Sequence, residues 1–255
     1  MIRNISVGID IGTHSTKVVV GEFVKGEKNP KILGIGECPT EGMRHGYVVS
    51  SSLVTASIEK AVGQAEKLSG IRIRRAYIAI GGVTLRGSIA PGVAIVSKAD
   101  GEVTILDVNK ALEECEESIS LGNKKVIQVS PVAFRLDAKE VLGRPEGMHG
   151  NKLEARAMVV TVSNQHLDEL VGAIADAGIT PIDLIVSPLA ASTICLSEKQ
   201  KIVGSALVNI GSETVTLSVF ENNALIALHT FSICSSDITN DVALGLKITL
   251  EEAKS

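Results

Sequence analysis

The sequence is poor in aromatic residues, and this scarcity limits the kind of core that it can build. Its 255 residues include no tryptophan, two tyrosines and four phenylalanines, although 45% of them are hydrophobic. A core of that composition has to be packed from valine, isoleucine, leucine and alanine. Runs rich in β-branched residues alternate with alanine-rich stretches of helical periodicity, which is typical of an α/β protein.

Several other features are missing, and each absence argues against a class of protein. The net charge of −4 and the lack of a basic cluster argue against a nucleic-acid partner. The four cysteines, Cys38, Cys115, Cys195 and Cys234, lie far apart without a Cys-x-x-Cys pair, which indicates reduced thiols rather than a metal site. The chain has no leader-like start and no apolar run of about 20 residues. We therefore expect a cytoplasmic protein.

The first part of the chain predicts an α/β unit. Strands are expected at Ile5–Ile11, 16–24 and 32–37, followed by a helix at 51–68 and a strand at Arg75–Ile80. The apolar residues of the helix recur at helical spacing, so one of its faces is expected to be buried.

From Gly82 to about Ala155 the pattern changes to that of a small α+β module. The stretch "GVAIVSKADGEVTI" alternates apolar and polar residues, as a half-exposed sheet does. Asp107 is a candidate cap for a helix that extends to about residue 121, and short strands are expected at 126–129 and 132–137. We interpret this block as an insertion into the first domain.

After the module the first domain resumes, and a second unit follows it. A strand is expected at 157–162, then a helix at 166–177 capped by Asn164, a strand at 182–186 and a helix at 188–196. The stretch "SALVNIGSETVTLSVFENNALIALHTF" then predicts a second strand–turn–strand.

Two of the predicted turns share one design. "VGIDIGTHSTKVVVGE" and "ALVNIGSETVTLSVFE" each lead from an apolar strand through an acid or amide, an isoleucine, a glycine and hydroxyl-bearing residues into another apolar strand. Gly12 and Gly211 would allow backbone conformations that other residues resist and would leave the turn amides uncovered. Exposed amides and hydroxyls together form a nest for phosphate oxygens, and Asp10 at the strand end suits the waters around Mg²⁺.

A single turn of this kind would be explained by a tight β-hairpin alone. The two copies lie about 200 residues apart, at the starts of separate α/β units. This duplication favours phosphate binding, because two such hairpins facing each other would hold a triphosphate from both sides.

Duplicated phosphate hairpins are typical of the actin, heat-shock chaperone and sugar-kinase superfamily, and within it the sequence resembles the FtsA family of bacterial cell-division proteins. "DIGTHSTKVVVGE" is similar to the first phosphate segment of that family. The predicted module follows "YIAIGG", where the family carries its 1C subdomain. "VIQVSPVAFRLD", "GNKLEARAMVVTVS" and "CSSDITNDVALGLKITLEEA" are also similar to family segments.

The resemblance implies an α/β protein with an actin-like ATPase fold of the ribonuclease H-like type and an inserted 1C subdomain of the SHS2 type. The implied divisions are subdomain 1A at 1–81 and 157–196, the 1C insertion at 82–156, and a partial subdomain 2A at 197–255.

The resemblance also implies a bound ATP with Mg²⁺ and the residues that contact them. Asp10 is implied as the residue that holds the metal and its waters, and no catalytic residue is assigned. The implied nucleotide contacts are Asp10, Gly12, Thr13, His14, Ser15, Thr16 and Lys17 from the first hairpin, and Asn209, Gly211, Ser212 and Thr214 from the second.

The implied function is that of a cell-division scaffold. A chain of this family binds nucleotide, associates with itself into filaments, links the FtsZ ring to the membrane and recruits later division proteins at the cytoplasmic face of the inner membrane. Within the family the FtsZ contact is attributed to subdomain 2B, recruitment to the inserted subdomain, and peripheral membrane attachment to a C-terminal helix. ATPase activity is expected to be weak at most.

Two departures from the family pattern change what we expect. Asn209 stands where the family has an acid, so it supplies no charge to a metal–water cluster, and Glu213 would repel a γ-phosphate. Hydrolysis is therefore less expected than binding. The sequence ends at "LEEAKS", with Lys254 where the family has an acid. We expect subdomain 2B and the membrane helix to lie outside the sequence, whether it is a piece of a longer protein or a reduced form. The chain as given is expected to bind FtsZ poorly or not at all and to bind nucleotide weakly or undetectably.

Two other interpretations remain at this point. The actin-like platform protein of type IV pilus assembly has a similar insertion and would be distinguished by its binding of a partner's N-terminal peptide. A small-molecule kinase of the same superfamily would need a base in its cleft to deprotonate the acceptor hydroxyl, and the sequence offers no acid placed in that way beyond the phosphate turns.

Overall fold

The computed structural model describes residues 4–27 and 29–253, so Lys254 lies outside the described residues. The strands are β1 Ile5–Ile11, β2 Ser15–Glu22, β3 Lys31–Pro39, β4 Met43–Arg44, β5 Tyr47–Val48, β6 Arg75–Ile80, β7 Arg86–Ile95, β8 Lys124–Leu136, β9 Lys139–Val141, β10 Lys152–Ser163, β11 Thr180–Val186, β12 Ser205–Ile210, β13 Val215–Glu221 and β14 Ala224–Phe231. The helices are α1 Ser51–Ser69, α2 Ile105–Glu117, α3 Asn164–Asp176, α4 Ser187–Cys195, α5 Glu198–Val203, α6 Ser235–Leu246 and α7 Leu250–Ala253.

A five-stranded sheet, with helices α1 and α3, forms what we call the first lobe. Its strand order is β11-β6-β1-β2-β3, in which β1 is antiparallel to β2 and parallel to β6. The buried core of this lobe consists of valine, isoleucine, leucine, alanine and one cysteine, which confirms the aliphatic core expected from composition. Helix α1 lies so close to β3 that a side chain at Gly36 would collide with the Ala61 carbonyl.

The inserted module consists of the sheet β7-β10-β8-β9 with α2 against one face. The two short strands expected at 126–129 and 132–137 are wrong, because they form one continuous strand, β8. The register of its pairing with β10 shifts by one residue at this point. Ala157 pairs with Pro131 and Arg156 pairs with Ala133, so Val132 between them has no partner on β10 and forms a bulge. A proline beside a bulge is tolerated within a strand, and this explains why the strand does not end at Pro131.

Two predicted helix caps are wrong by a few residues. Helix α2 begins at Ile105 and ends at Glu117, and its N-cap is Thr104 rather than Asp107. Asp107 instead completes a capping box: its carboxylate accepts the Thr104 amide at 2.8 Å, and the Thr104 hydroxyl accepts the Asp107 amide at 3.4 Å. Helix α3 is capped by Ser163 and begins at Asn164, because β10 passes into it directly.

What we call the second lobe is built on the three-stranded sheet β12-β13-β14, followed by α6. This order repeats that of β1-β2-β3 in the first lobe. Leu225 and Leu228 pack against Met158 and Val160, so β14 rests on the inserted module. Among the described residues, β12 pairs with β13 alone and leaves its other edge open.

Strand β10 lies across the division that the resemblance implies at residues 156 and 157. It pairs with β7 from Lys152 to Thr161, and its last residues lead into α3 of the first lobe. The implied division there stays a prediction. In the part of the chain that the structure describes, no helix is long and apolar enough to cross a membrane.

Candidate functional site

The two turns singled out in the sequence have the same backbone structure. In the first, the Gly12 amide donates to the Ser15 carbonyl at 3.1 Å, and in the second the Gly211 amide donates to the Thr214 carbonyl at 2.9 Å. The strand pairs are also in the same register, with Asp10 facing Lys17 and Asn209 facing Thr216. The repeated sequence design is therefore a repeated structure.

The reason for the two glycines differs from the one expected. Neither Gly12 nor Gly211 adopts a left-handed φ, so unusual backbone freedom is not what the turns require. A Cβ added to Gly12 would lie 3.1 Å from the Ser15 carbonyl oxygen, and one added to Gly211 would lie 2.9 Å from that of Thr214. Each glycine is needed because its turn closes tightly, and its amide is used in that closure.

Both turns open into one cleft between the lobes, with a cavity volume of about 260 Å³. The first hairpin contributes Asp10, Ile11, Gly12, Thr13, His14, Ser15 and Lys17 to its wall, and the second contributes Asn209, Ile210, Gly211, Ser212, Thr214 and Thr216. Residues separated by almost the whole chain are thus brought together, as the prediction of two facing hairpins requires.

Two amides in each turn are available to a ligand. Within the described residues, the amides of Thr13 and His14 donate no hydrogen bond to another protein group, and neither do those of Ser212 and Glu213. Amides without partners that follow one another along a turn can bind an anion. Three of these four residues, Thr13, His14 and Ser212, line the cleft, so donors lie on both of its sides.

Thr16 is the exception among the predicted site residues. Its side chain is fully buried, and its hydroxyl is 2.8 Å from that of Thr40, so it does not reach the cleft. Residues along a strand point alternately to opposite faces, and Thr16 points to the face opposite that of Lys17. The expectation that its hydroxyl contacts phosphate is corrected accordingly.

Asp10 is open to the cleft, but protein surrounds it on most sides. This desolvation raises the pKa of its carboxyl, and Lys17, which faces it on the neighbouring strand, acts in the opposite direction. Lys17 is itself 3.8 Å from Glu37 in an exposed ion pair. No group of three potential metal ligands occurs among the residues described. The donors present fit Mg²⁺ held through one carboxylate, waters and phosphate oxygens, a coordination that this ion accepts.

The comparisons with known proteins point to one family. One family model, "SHS2 domain inserted in FTSA", matches residues 84–161, and a second, "Cell division protein FtsA", matches residues 206–255. The cell division protein FtsA of Bacillus subtilis is 33% identical over 97% of this chain. Those of Pseudomonas aeruginosa and Escherichia coli K12 are 29% and 28% identical. The chain belongs to the FtsA family.

The chain spans about three-fifths of the length of these FtsA relatives, 56% of the first and 60% of that from Escherichia coli K12. Solved structures agree on the fold. The PilM-PilN type IV pilus biogenesis complex matches 97% of this chain and 67% of its own at 18% identity, with a TM-score of 0.68. The ethanolamine utilization protein EutJ of Carboxydothermus hydrogenoformans matches with a TM-score of 0.56 at 16% identity, over 100% of this chain and 61% of its own. The fold is that of the actin-like ATPases, a nucleotide-binding class, with an SHS2 insertion.

The sequence prediction missed several residues of the cleft in this FtsA-family chain. The additional lining residues are Met43, Gly46, Ala79, Gly81, Gly82, His166, Leu170, Ser187 and Pro188. The Gly81–Gly82 pair after a strand was a usable signal. His166 gave no such signal, because a single histidine at the start of a helix can have many structural roles.

His166 is buried at the base of the cleft. Its Nδ1 is 2.9 Å from the Thr84 hydroxyl, and its ring lies 5.2 Å from that of Tyr47. Burial lowers the pKa of the imidazole, with Glu169 acting in the opposite direction. We therefore assign it a neutral ring that supports the wall beside Gly82.

Helix α6 holds the second turn in place. The Ser235 amide and hydroxyl both donate to the Gly211 carbonyl, at 3.2 and 2.9 Å, and the Ser236 amide donates to the Ser212 carbonyl at 2.9 Å. Asp237 belongs to a capping box at the start of the helix, where its carboxylate accepts a hydrogen bond from the Cys234 amide at 2.9 Å. These bonds fix the turn while leaving its outer amides open.

Proposed function

We propose that this chain forms the nucleotide-binding part of an FtsA-type cell-division scaffold, with ATP and Mg²⁺ as its ligands. The observation that supports this proposal is the convergence of the two hairpins on one cleft. Residues with amides that lack protein partners line this space from both turns, and the family relationship supports a nucleotide as its ligand.

In this proposal the two turns share the phosphates. Thr13 and His14 donate their amides from one side, and Ser212 and Glu213 donate theirs from the other, while the side chains of Ser15 and Thr214 add hydroxyls. Asp10 orients the waters of the metal, and Mg²⁺ would neutralise phosphate charge. Lys17 faces Asp10 and lies within the same cleft.

We propose binding rather than turnover as the function of the cleft. Asn209 replaces an acid at the position equivalent to Asp10, so a second carboxylate for activating water is lacking there. ATPase activity is then weak at most, and the bound nucleotide orders the two lobes for self-association into filaments.

The rest of the proposal follows from the family relationship. Contacts with later division proteins would involve the inserted module, a proposed unit at 82–156, and the link from the FtsZ ring to the membrane would involve the family's subdomain 2B and membrane helix. The site of action would be the cytoplasmic face of the membrane at the division plane. The FtsA relatives, at 28–33% identity, favour this role over pilus assembly, for which the likeness is one of fold.

Thermal unfolding in the presence and absence of Mg²⁺ and ATP tests the proposal. Millimolar Mg²⁺·ATP should raise the melting temperature, because a ligand that binds only the folded state stabilises it. Asp10→Ala should abolish the rise, while Asp176→Ala, at an exposed helix end outside the cleft, should retain it. An equal rise in Asp10→Ala would refute the role of Asp10, and no rise in the parent chain would refute nucleotide binding.

A further inference from the structure

The hairpin of β4 and β5 touches both turns of the cleft. Its two-residue tip, His45 and Gly46, which we call the hairpin tip, lies between them. The Gly46 amide donates to the Thr13 hydroxyl at 3.1 Å. On the other side, the His45 amide donates to the Glu213 carboxylate at 2.6 Å, and His45 Nδ1 is 3.2 Å from the Glu213 carbonyl oxygen.

The hairpin tip is fixed to the first lobe. Both of its residues have left-handed φ values, 50° for His45 and 80° for Gly46, as in the tight two-residue turns that join antiparallel strands. The Val83 amide donates to the His45 carbonyl at 3.4 Å. A Cβ on Gly46 would lie 2.5 Å from the Gly82 Cα, so the two backbones are in direct contact. The tip must therefore move together with the first lobe.

Glu213 belongs to the second lobe. Its turn is held by α6 through the carbonyls of Gly211 and Ser212. The bond from His45 to Glu213 consequently joins the two lobes across the cleft. Glu213 was expected to repel a γ-phosphate, but its carboxylate is engaged by a backbone amide of the opposite lobe.

We propose that Glu213 is a positioning residue whose side chain clasps the hairpin tip and thereby sets the separation of the two phosphate turns. The consequence for affinity rests on the proposed function, since it requires that the turns bind a nucleoside triphosphate. The contact itself requires no ligand. An unengaged second turn could swing away from Thr13 and His14, and the two pairs of amides would then no longer fit one polyphosphate.

The Glu213 side chain is expected to affect nucleotide binding in two opposite ways: its acceptor oxygen favours binding by holding the hairpin tip, and its negative charge disfavours it by repelling phosphate. Two substitutions separate these effects. Glu213→Gln keeps an oxygen that accepts the His45 amide but removes a negative charge near the phosphates. Glu213→Ala removes both the oxygen and the charge. The difference between Gln and Ala therefore measures the clasp, and the difference between Glu and Gln measures the charge. Glu221→Ala, at the far end of β13, is a matched control outside the cleft.

Distances between spin labels test the clasp without any ligand. Exposed positions Lys60 on α1 and Asp241 on α6 can be changed to cysteine and labelled after Cys195→Ser, because Cys38, Cys115 and Cys234 are buried. Pulsed electron resonance should give one narrow distance distribution for the parent, Glu213→Gln and Glu221→Ala, and a broader or longer one for Glu213→Ala. An unchanged distribution in Glu213→Ala, or a Gln variant that behaves like Ala, would overturn the proposal.

Titration with Mg²⁺·ATP then tests the consequence. Loss of one hydrogen bond to a charged or amide acceptor should make Glu213→Ala bind about tenfold more weakly than Glu213→Gln. Equal affinities would overturn the link between the clasp and binding. If the parent and all variants fail to bind ATP, nucleotide binding is refuted, while the spin-label distances still decide whether the clasp exists.

Discussion

The two hairpins that carry Gly12 and Gly211 have the same turn but very different surroundings. Ile11 and Ile210 occupy equivalent positions just before the two glycines, yet Ile11 is 7% exposed and Ile210 is 65% exposed. Strand β1 pairs on both sides and is covered by helices, whereas β12 pairs on one side within the described residues. Turns of one sequence design thus adopt the same structure whether or not a core surrounds them.

The chemistry of the two hairpins differs as well. The first places an acid and a lysine opposite each other, Asp10 and Lys17, and the second places the neutral pair Asn209 and Thr216 at the equivalent positions. The first hairpin can therefore interact with a metal and its waters, while the second is limited to hydrogen bonds. The two hairpins therefore share a backbone structure, but charged side chains face each other at these positions in the first one and neutral ones in the second.

Truncating the two equivalent isoleucines should give the largest contrast. Ile11→Ala should lower the free energy of unfolding by about 2–5 kcal/mol, because it leaves a cavity in the first lobe. Ile210→Ala should change it by about 0.5 kcal/mol or less, as exposed substitutions usually do. Urea unfolding of the two variants checks this. Similar losses for both would mean that the second hairpin is buried in solution, for instance by another chain.

Adding a methyl group to the glycines should have a smaller effect, in both hairpins. Gly12→Ala and Gly211→Ala should each cost about 1–3 kcal/mol, because the new Cβ meets a turn carbonyl. The larger loss is expected at Gly211, where the distance is shorter. Gly63→Ala, in the middle of α1 with open space around it, should instead stabilise the chain by about 0.5–1 kcal/mol. A larger loss at Gly12 would show that the surrounding packing, and not the turn contact, decides the cost.

The smallest expected effect is a difference in pH dependence. Because the pKa of Asp10 is raised in the folded chain, the folded state binds its proton more tightly than the unfolded state does. The contribution of Asp10 to stability should therefore fall as pH rises above about 4, the usual pKa of this group, while the lowered pKa of His166 acts in the opposite direction at higher pH. Asp10→Asn should remove that fall, and Asn209→Ala should leave it unchanged. Chemical unfolding between pH 4 and 7, without nucleotide or metal, measures the difference; identical profiles for the parent and Asp10→Asn would contradict it.

Much of the fold was predictable from residue patterns. The expected strands at 16–24 and 32–37 and the helix at 51–68 end within two residues of β2, β3 and α1. The errors occur where neighbouring segments decide the outcome. Two short strands were expected at 126–129 and 132–137, but pairing with β10 joins them into one strand with a bulge at Val132. Asp107 suggested a cap, but Thr104 three residues earlier takes that role.

The candidate site was predictable in part, for a related reason. The two hairpins could be recognised because each motif is continuous in sequence. The hairpin tip and His166 could not be recognised in this way. Gly46 lies at the cleft because it packs against Gly82, and His166 because it packs against Tyr47, and no sequence pattern relates the members of either pair. Thr16 belonged to the motif by sequence and is absent from the cleft because its side chain points to the other face of the sheet.

The sequence by itself determined the two turns, since four consecutive residues close each of them by one hydrogen bond and leave no room for a side chain on the glycine. The tertiary structure decided that the turns share a cleft, which of their groups face it, and that His45 and Glu213 join its two sides. Those outcomes depend on packing between residues far apart in the chain. Short-range sequence patterns cannot specify such packing, because the free energy of these contacts is gained only when distant parts of the chain come together in the folded state.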